Sequence, residues 1–432
     1  MIFGCFSEYY ISIIDIFAQY NNPRDVIISG GGLMITAIPT LDDLELHGKR
    51  VFLRADMNVP LDEDGRVMDA TKIKEAVVTI KELLDNNAKL VIGTHQGKPG
   101  SRDFVPTDFH AELLGRELGM HVEKIDGIAC KCAKDAINKV KPGELVLLEN
   151  LRFNAEENLE LPPEKAINTS LVRRLAPLFD VYVNDAFHAS HRSQPSLVGF
   201  PYLIPSAAGR IMERMLIETE GLENSSGRRI YVLGGGKIAD KFNVMIHALA
   251  TNRAQEVLVG GLVGVLMCMA AGYSVGKSRE AFKDLPLILP VASDSLRRFR
   301  GRIFYPVDFV VLRDDKTEIV PVYSVPDDAK IVDVGPGTVE LFRERMKEAD
   351  LVIANGPMGV FENPRFRKGT LDFVKAAIQV SKELVLCGGH LSAAARMIGT
   401  LPEGKRIFTA GGALMFKIAG LPMPAINALR EG

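Results

Sequence analysis

Between Arg229 and Phe242 the chain reads Arg-Ile-Tyr-Val-Leu-Gly-Gly-Gly-Lys-Ile-Ala-Asp-Lys-Phe: an apolar run, three glycines, and two lysines at i and i+4. A strand that breaks into glycines and restarts as a helix brings backbone N–H groups and a helix N-terminus to one point, where an anion can sit. Lys237 and Lys241 would share one helical face and could reach different phosphates of one polyphosphate. The stretch is neither Gly-x-x-x-x-Gly-Lys-[Ser/Thr] nor Gly-x-Gly-x-x-Gly, so it matches no common nucleotide loop. A plain strand-to-helix turn, with glycines for tight packing, would read the same way.

In the first half, charged and amide side chains follow short apolar runs. After 51–53 comes Arg54-Ala55-Asp56-Met57-Asn58-Val59-Pro60, and after 89–92 comes Thr94-His95-Gln96-Gly97-Lys98-Pro99. After 145–148 comes Glu149-Asn150-Leu151-Arg152-Phe153, and after 181–183 comes Asn184-Asp185-Ala186-Phe187-His188-Ala189-Ser190-His191-Arg192. The second half offers glycines instead: 260–261, Gly335-Pro336-Gly337, Asn355-Gly356-Pro357-Met358-Gly359, Gly388-Gly389 and Gly411-Gly412. Cations at strand ends suit a small anionic substrate, held by charge and hydrogen bonds. Glycine turns suit backbone approach to a nucleotide. Two complementary halves imply a cleft, with reaction where they meet. Singly, His95, Arg152 and Arg192 would each pass for structural residues, and Asp185 could equally order its loop. Their convergence carries the reading.

The elements that must position these residues alternate in type. Apolar runs continue at 230–233, 256–259, 287–289, 309–312, 331–334, 351–354, 383–386 and 406–408, with helix-period segments between them. This pattern predicts an α/β fold whose parallel sheets are covered by helices on both faces, with ligands at the carboxyl ends of the strands. A length of 432 residues exceeds one core and predicts two domains of roughly 200 residues each. A net charge of −2 speaks against nucleic acid or a membrane surface as partner. The longest uncharged run, 257–273, is marginal for a bilayer span and reads as a buried strand and helix. Five cysteines make no disulfide framework and indicate a reducing cytoplasm. No His, Cys or carboxylate spacing predicts a tightly held metal. Residues 1–33 lack the features of a secretory signal. Glycines 30–32 before Met34 make Met34 a candidate true start and 1–33 an extension.

Taken together and in this order, the motifs resemble those of phosphoglycerate kinases from about Leu41 onward. The matching segments are Arg54 to Pro60, Leu148 to Phe153, His191-Arg192, Gly234 to Lys241, Asn355 to Glu362 and Thr409-Ala410-Gly411-Gly412-Ala413. The resemblance implies two doubly wound parallel-sheet domains joined by a helix and hinge. Residues 34–207 would bind 3-phosphoglycerate and 208–420 the nucleotide, with the linking helix near 206–220 and 421–432 returning to the first domain. It implies reversible phosphoryl transfer between 1,3-bisphosphoglycerate with ADP and 3-phosphoglycerate with ATP, Mg2+ arriving on the nucleotide, in a cytoplasmic protein expected to be a monomer.

By the same resemblance, Asp56 and Asn58 meet the substrate hydroxyl and carboxylate, while Lys72, His95, Lys98, Arg152 and Arg192 form a basic patch. Lys237 steadies the phosphoryl group in flight and Lys241 the nucleotide phosphates. Gly235, Gly236, Gly388, Gly389, Gly412, Asn355, Pro357 and His390 surround the nucleotide, with Glu362 on the ribose hydroxyls. Lys72, Lys237, Gly389 and Gly412 are the expected catalytic group. This chain departs from the family pattern at Lys72 and Lys98, where arginine is usual, and at His390, where the turn usually ends in aspartate. The wording around His390 and Ser193-Gln194-Pro195-Ser196 is closest to archaeal members. Two rivals follow from the departures: a non-catalytic nucleotide-binding protein of this fold, or a kinase for another phosphorylated acid.

Overall fold

The structure, a computed structural model, describes residues 38–223 and 225–432; the segment 1–33 lies outside the described residues. The chain forms two compact units, one running to Leu222 and including Pro422–Gly432, the other Glu223–Leu421. In the first, β1 (Arg50–Arg54), β2 (Lys89–Gly93), β3 (Glu123–Ile125), β4 (Leu145–Leu148), β5 (Val181–Asn184) and β6 (Ser206–Ala208) make one sheet in the order β3-β4-β2-β1-β5-β6. Every pairing is parallel. Val51, Phe52 and Leu53 are fully buried, as both-face coverage requires. β1 lies where the strand order reverses, with Arg54 beside Gly93 on one flank and Asn184 on the other. The loops after β1, β2 and β5 therefore start side by side.

The second unit repeats the plan. β7 (Arg229–Leu233), β8 (Glu256–Val259), β9 (Ile303–Phe304), β13 (Leu351–Asn355), β14 (Glu383–Cys387) and β15 (Lys405–Phe408) stand in the order β15-β14-β13-β7-β8-β9, all parallel. β7 occupies the reversal point, with Leu233 paired to Asn355 and to Val259.

Three runs expected to join the parallel pattern do not. Residues 309–312 and 331–334 fall in β10 (Asp308–Arg313) and β12 (Lys330–Val334), which with β11 (Lys316–Pro321) make a separate three-stranded antiparallel sheet. Residues 287–289 lie in a helix, Leu285–Arg298, whose buried Leu285, Ile288, Ala292 and Ser295 recur at helical spacing. A short apolar run fits either element until its flanks are weighed, and Pro286 in the first turn favours the helix. Cys130 and Cys132 are joined across one residue, which staples no distant segments. No single described helix is long and apolar enough to cross a membrane.

The helix Arg210–Glu223 sides with the first unit as far as Leu222. Its first turn explains this. Buried Asp185 accepts from the Ile211 and Met212 N–H groups at 2.8 and 3.0 Å, and the Arg210 guanidinium bonds Glu82 and Asp42. Asp185 is thus a helix cap reaching from the loop after β5. Asp185→Ala should lower unfolding stability by roughly 2 kcal/mol, because two inward N–H groups lose their acceptor. Urea denaturation would check this, with a fall in midpoint at unchanged slope expected.

Candidate active site

In the first unit the acidic centre is Asp56, two residues past the end of β1 and buried. Lys72 Nζ, one residue into the helix Thr71–Asp85, stands 3.1 Å from Asp56 Oδ2, and His188 Nδ1 stands 3.7 Å from the same oxygen. The Asn58 N–H donates to Asp56 Oδ1 at 3.1 Å. Burial alone would raise the carboxyl's pKa, but Lys72, joined at acid pH by protonated His95 and His188, outweighs it and holds it well below the usual range. Asp56 is therefore ionised at neutral pH.

Asn58 and Arg152 converge on one peptide. The Gly97 N–H donates to Asn58 Oδ1 at 2.9 Å, and Arg152 donates to the Gly97 carbonyl at 2.5 Å. Burial, then neighbouring Arg54 and, less strongly, Arg192 push the Arg152 pKa down, so a concentration of positive charge lies here. Arg192 also bonds Glu160 at 3.5 Å. Lys98 follows Gly97 on the exposed side of the same loop. His95 differs from the cation expected: burial, then Arg152, drives its pKa well below the ordinary imidazole value. Its Nδ1 faces the Arg54 guanidinium at 3.3 Å, so it accepts there as a neutral ring.

Sequence reasoning gave Arg54 no role. Its side chain is buried, donating to Ser196 Oγ and the Ala55 carbonyl, both at 2.7 Å, with buried Glu157 at 3.7 Å. The available signal was a single arginine closing an otherwise apolar strand. Nor does the sequence alone give His188 a role. Burial, then Lys72, lowers its pKa to about 4, so it meets Asp56 as a neutral group.

In the second unit the glycine turns bring backbones into contact. The Gly234 N–H donates to the Asn355 carbonyl at 2.9 Å and the Gly235 N–H to Pro357 at 2.8 Å. Gly356 has φ +93°, and a Cβ there would collide with the Gly234 carbonyl, so no other residue fits. The helices Ile238–Ala250, Gly389–Ile398 and Gly411–Ala419 begin just after β7, β14 and β15. Because the strands are parallel, those N-termini share one edge of the sheet. Lys237 caps the first of these helices and is exposed, as are Gly236, Gly389 and Gly412. Asn355 Nδ2 donates to the Cys387 carbonyl at 3.0 Å beside Gly388. Glu362 Oε1 meets His390 Nε2 at 2.9 Å.

Lys241 is the unusual member. Its side chain is buried, with Nζ 3.2 Å from the Asn355 carbonyl. Burial lowers its pKa to about 7. An ammonium in that position gains most from an arriving anion.

A family profile described as phosphoglycerate kinase matches residues 41–420. The chain belongs to the phosphoglycerate kinase family. The phosphoglycerate kinase of Methanothermobacter thermautotrophicus is 42% identical over 397 residues, covering 91% of this chain and 96% of the relative. That of Thermococcus sibiricus is 41% identical over 398 residues, covering 90% and 96%. The crystal structure of the phosphoglycerate kinase from Pyrococcus horikoshii superposes with a TM-score of 0.81 at 39% identity, covering 91% of this chain and 98% of that one. All three sources are archaea, in line with the wording around His390.

Within this kinase fold, Lys241 makes a signed prediction. At pH 8 a lysine with a pKa near 7 is mostly neutral, whereas a bound phosphate favours its ammonium and raises the pKa. If the nucleotide phosphates meet Lys241, binding at pH 8 should take up protons, and the uptake should fade as pH falls well below 7. Calorimetry of ADP binding in two buffers of different ionisation enthalpy measures it. Absence of uptake at pH 8 would mean that Lys241 is already charged in the free protein.

Proposed function

We propose that the two strand-end clusters divide the substrates of a phosphoglycerate kinase between them. The reaction is reversible transfer of a phosphoryl group between 1,3-bisphosphoglycerate with ADP and 3-phosphoglycerate with ATP, the acceptor being a carboxyl group. The observation that carries this reading is the placement of a buried ion beyond the reversal strand of each sheet: Asp56 after β1 and Lys241 after β7.

The unit ending at Leu222, with Pro422–Gly432, takes 3-phosphoglycerate. Asp56 and Asn58 accept from or orient its hydroxyl and carboxylate region; Lys72, Lys98, Arg152 and Arg192 supply positive charge, and neutral His95 a hydrogen bond. The unit Glu223–Leu421 takes the nucleotide. Lys241, Gly235 and Gly236 face its phosphates; Asn355, Pro357 and Gly388 shape the floor, and Glu362 with His390 takes the ribose end. Lys237, Lys72 and the N–H groups of Gly389 and Gly412 meet the phosphoryl group in transit. Among the described residues no group of three or more His, Cys, Asp or Glu side chains is arranged to hold a metal. Mg2+ enters as part of the nucleotide substrate, where it shields phosphate charge. Transfer in line needs only placement, charge neutralisation and exclusion of water. Closure of the two units around the ligands would supply all three. On family grounds we place the protein in the cytoplasm, acting as a monomer.

Lys72 and Lys237 test the assignment. Lys237→Ala should lower kcat roughly 100-fold or more with little change in nucleotide affinity, since its charge matters most in the transition state. Lys72→Ala should cost turnover on a similar scale and also leaves Asp56 without its nearest cation. Lys72→Arg should restore charge but alter its geometry, from a compact ammonium to a planar fork. Steady-state kinetics with both substrates, alongside thermal melts, reads these effects. Turnover of Lys72→Ala equal to the parent would remove that residue from the site.

A further inference from the structure

Glu362 and His390 come from different strand ends, after β13 and β14, yet stand 2.9 Å apart between Oε1 and Nε2. The His390 ring also packs edge-on against Phe361, with centroids 5.8 Å apart and planes at 67°. Phe361 is itself buried, and the Arg367 guanidinium covers its ring. His390 therefore meets two successive residues of one loop, Phe361 by ring packing and Glu362 by the close approach of Nε2 to Oε1. The Glu362 and His390 side chains are 67% and 47% exposed. A pair so open to water adds little to stability, and its consequence is geometric.

We propose that His390 is a positioning residue for the nucleotide, holding the Glu362 carboxylate in the orientation that accepts the ribose hydroxyls. This rests on the assignment of Glu362 to the ribose made above. A glutamate on an open loop end must give up its rotamer freedom when a ligand arrives, and that loss weakens binding. His390 imposes the restriction beforehand. A carboxylate offers about four lone-pair sites across its two oxygens, so the imidazole contact at Oε1 leaves capacity for two neighbouring hydroxyls. The full benefit goes to a sugar carrying both. Preference for ribonucleotides over 2′-deoxyribonucleotides should then depend on His390.

The test is kcat and KM for ATP and for 2′-deoxy-ATP, at saturating 3-phosphoglycerate, in the parent, His390→Ala, His390→Gln and Glu362→Ala. For His390→Ala, KM for ATP should rise about 3- to 10-fold, KM for 2′-deoxy-ATP should rise less, and kcat should hold for both. His390→Gln keeps an N–H donor at similar reach and should recover the parent's discrimination. Glu362→Ala should erase it. If Glu362→Ala leaves the ATP to 2′-deoxy-ATP ratio unchanged, the ribose assignment fails and the proposal falls with it. If Glu362→Ala erases the ratio while His390→Ala preserves it, the ribose assignment stands and the positioning role is refuted. An equal rise in both KM values, or a fall in kcat, in His390→Ala also refutes it, by placing His390 at the phosphates.

Discussion

A charge buried at the end of a strand must be neutralised where it stands, or else lose its charge until a partner arrives. The two units resolve this constraint in opposite ways. Asp56 stays ionised because the Lys72 ammonium stands 3.1 Å from one of its oxygens and the Asn58 N–H donates to the other. Lys241 Nζ lies 3.2 Å from the Asn355 carbonyl, and burial brings the group near its titration point. One site is therefore already compensated. The other keeps a latent charge that a phosphate would call out. Most of the arrangement around each ion serves that difference.

Crowding of backbones makes the second solution possible. Side chains at Gly234, Gly356 or Gly411 would drive into the neighbouring turn, and the gap so opened would let water reach Lys241. In the first unit the equivalent work falls to side chains. Asn150 donates to the Gln96 and Val105 carbonyls at 2.8 and 2.9 Å, and Gln96 donates to the Val59 carbonyl at 2.9 Å. These bonds tie three strand-end loops together, so the Asp56 and Arg152 loops cannot move independently. Asp185 extends the same linkage to the helix Arg210–Glu223.

What could be read from the sequence was what repeats locally. Apolar runs ending in glycine or charge mark strand ends in an all-parallel sheet, and residues 54–60 and 234–241 stand where that logic puts them. The short edge strands β3, β6 and β9 carried too few apolar residues to stand out. In the antiparallel sheet, β10 and β11 form a hairpin closed by Asp314-Asp315, both at positive φ, and the polar, exposed β11 carries no apolar run to mark it. The roles of Arg54, Glu157 and His188 were hidden because they depend on segments far away in sequence. Their burial comes from other loops, and an arginine 1% exposed looks in sequence like any strand-end cation. His95 was legible as a site neighbour but not as a neutral group, because its protonation depends on Arg152 and Arg54 across the fold.

The most direct measurement is a coupled assay in which the purified full chain receives ATP, Mg2+ and 3-phosphoglycerate. Any 1,3-bisphosphoglycerate formed is drawn off by a reductive dehydrogenase that oxidises NADH. The account predicts NADH oxidation that requires both substrates, saturates with each, and reverses when ADP and 1,3-bisphosphoglycerate are supplied. ATP consumption indifferent to 3-phosphoglycerate, or transfer only to some other phosphorylated acid, would contradict it.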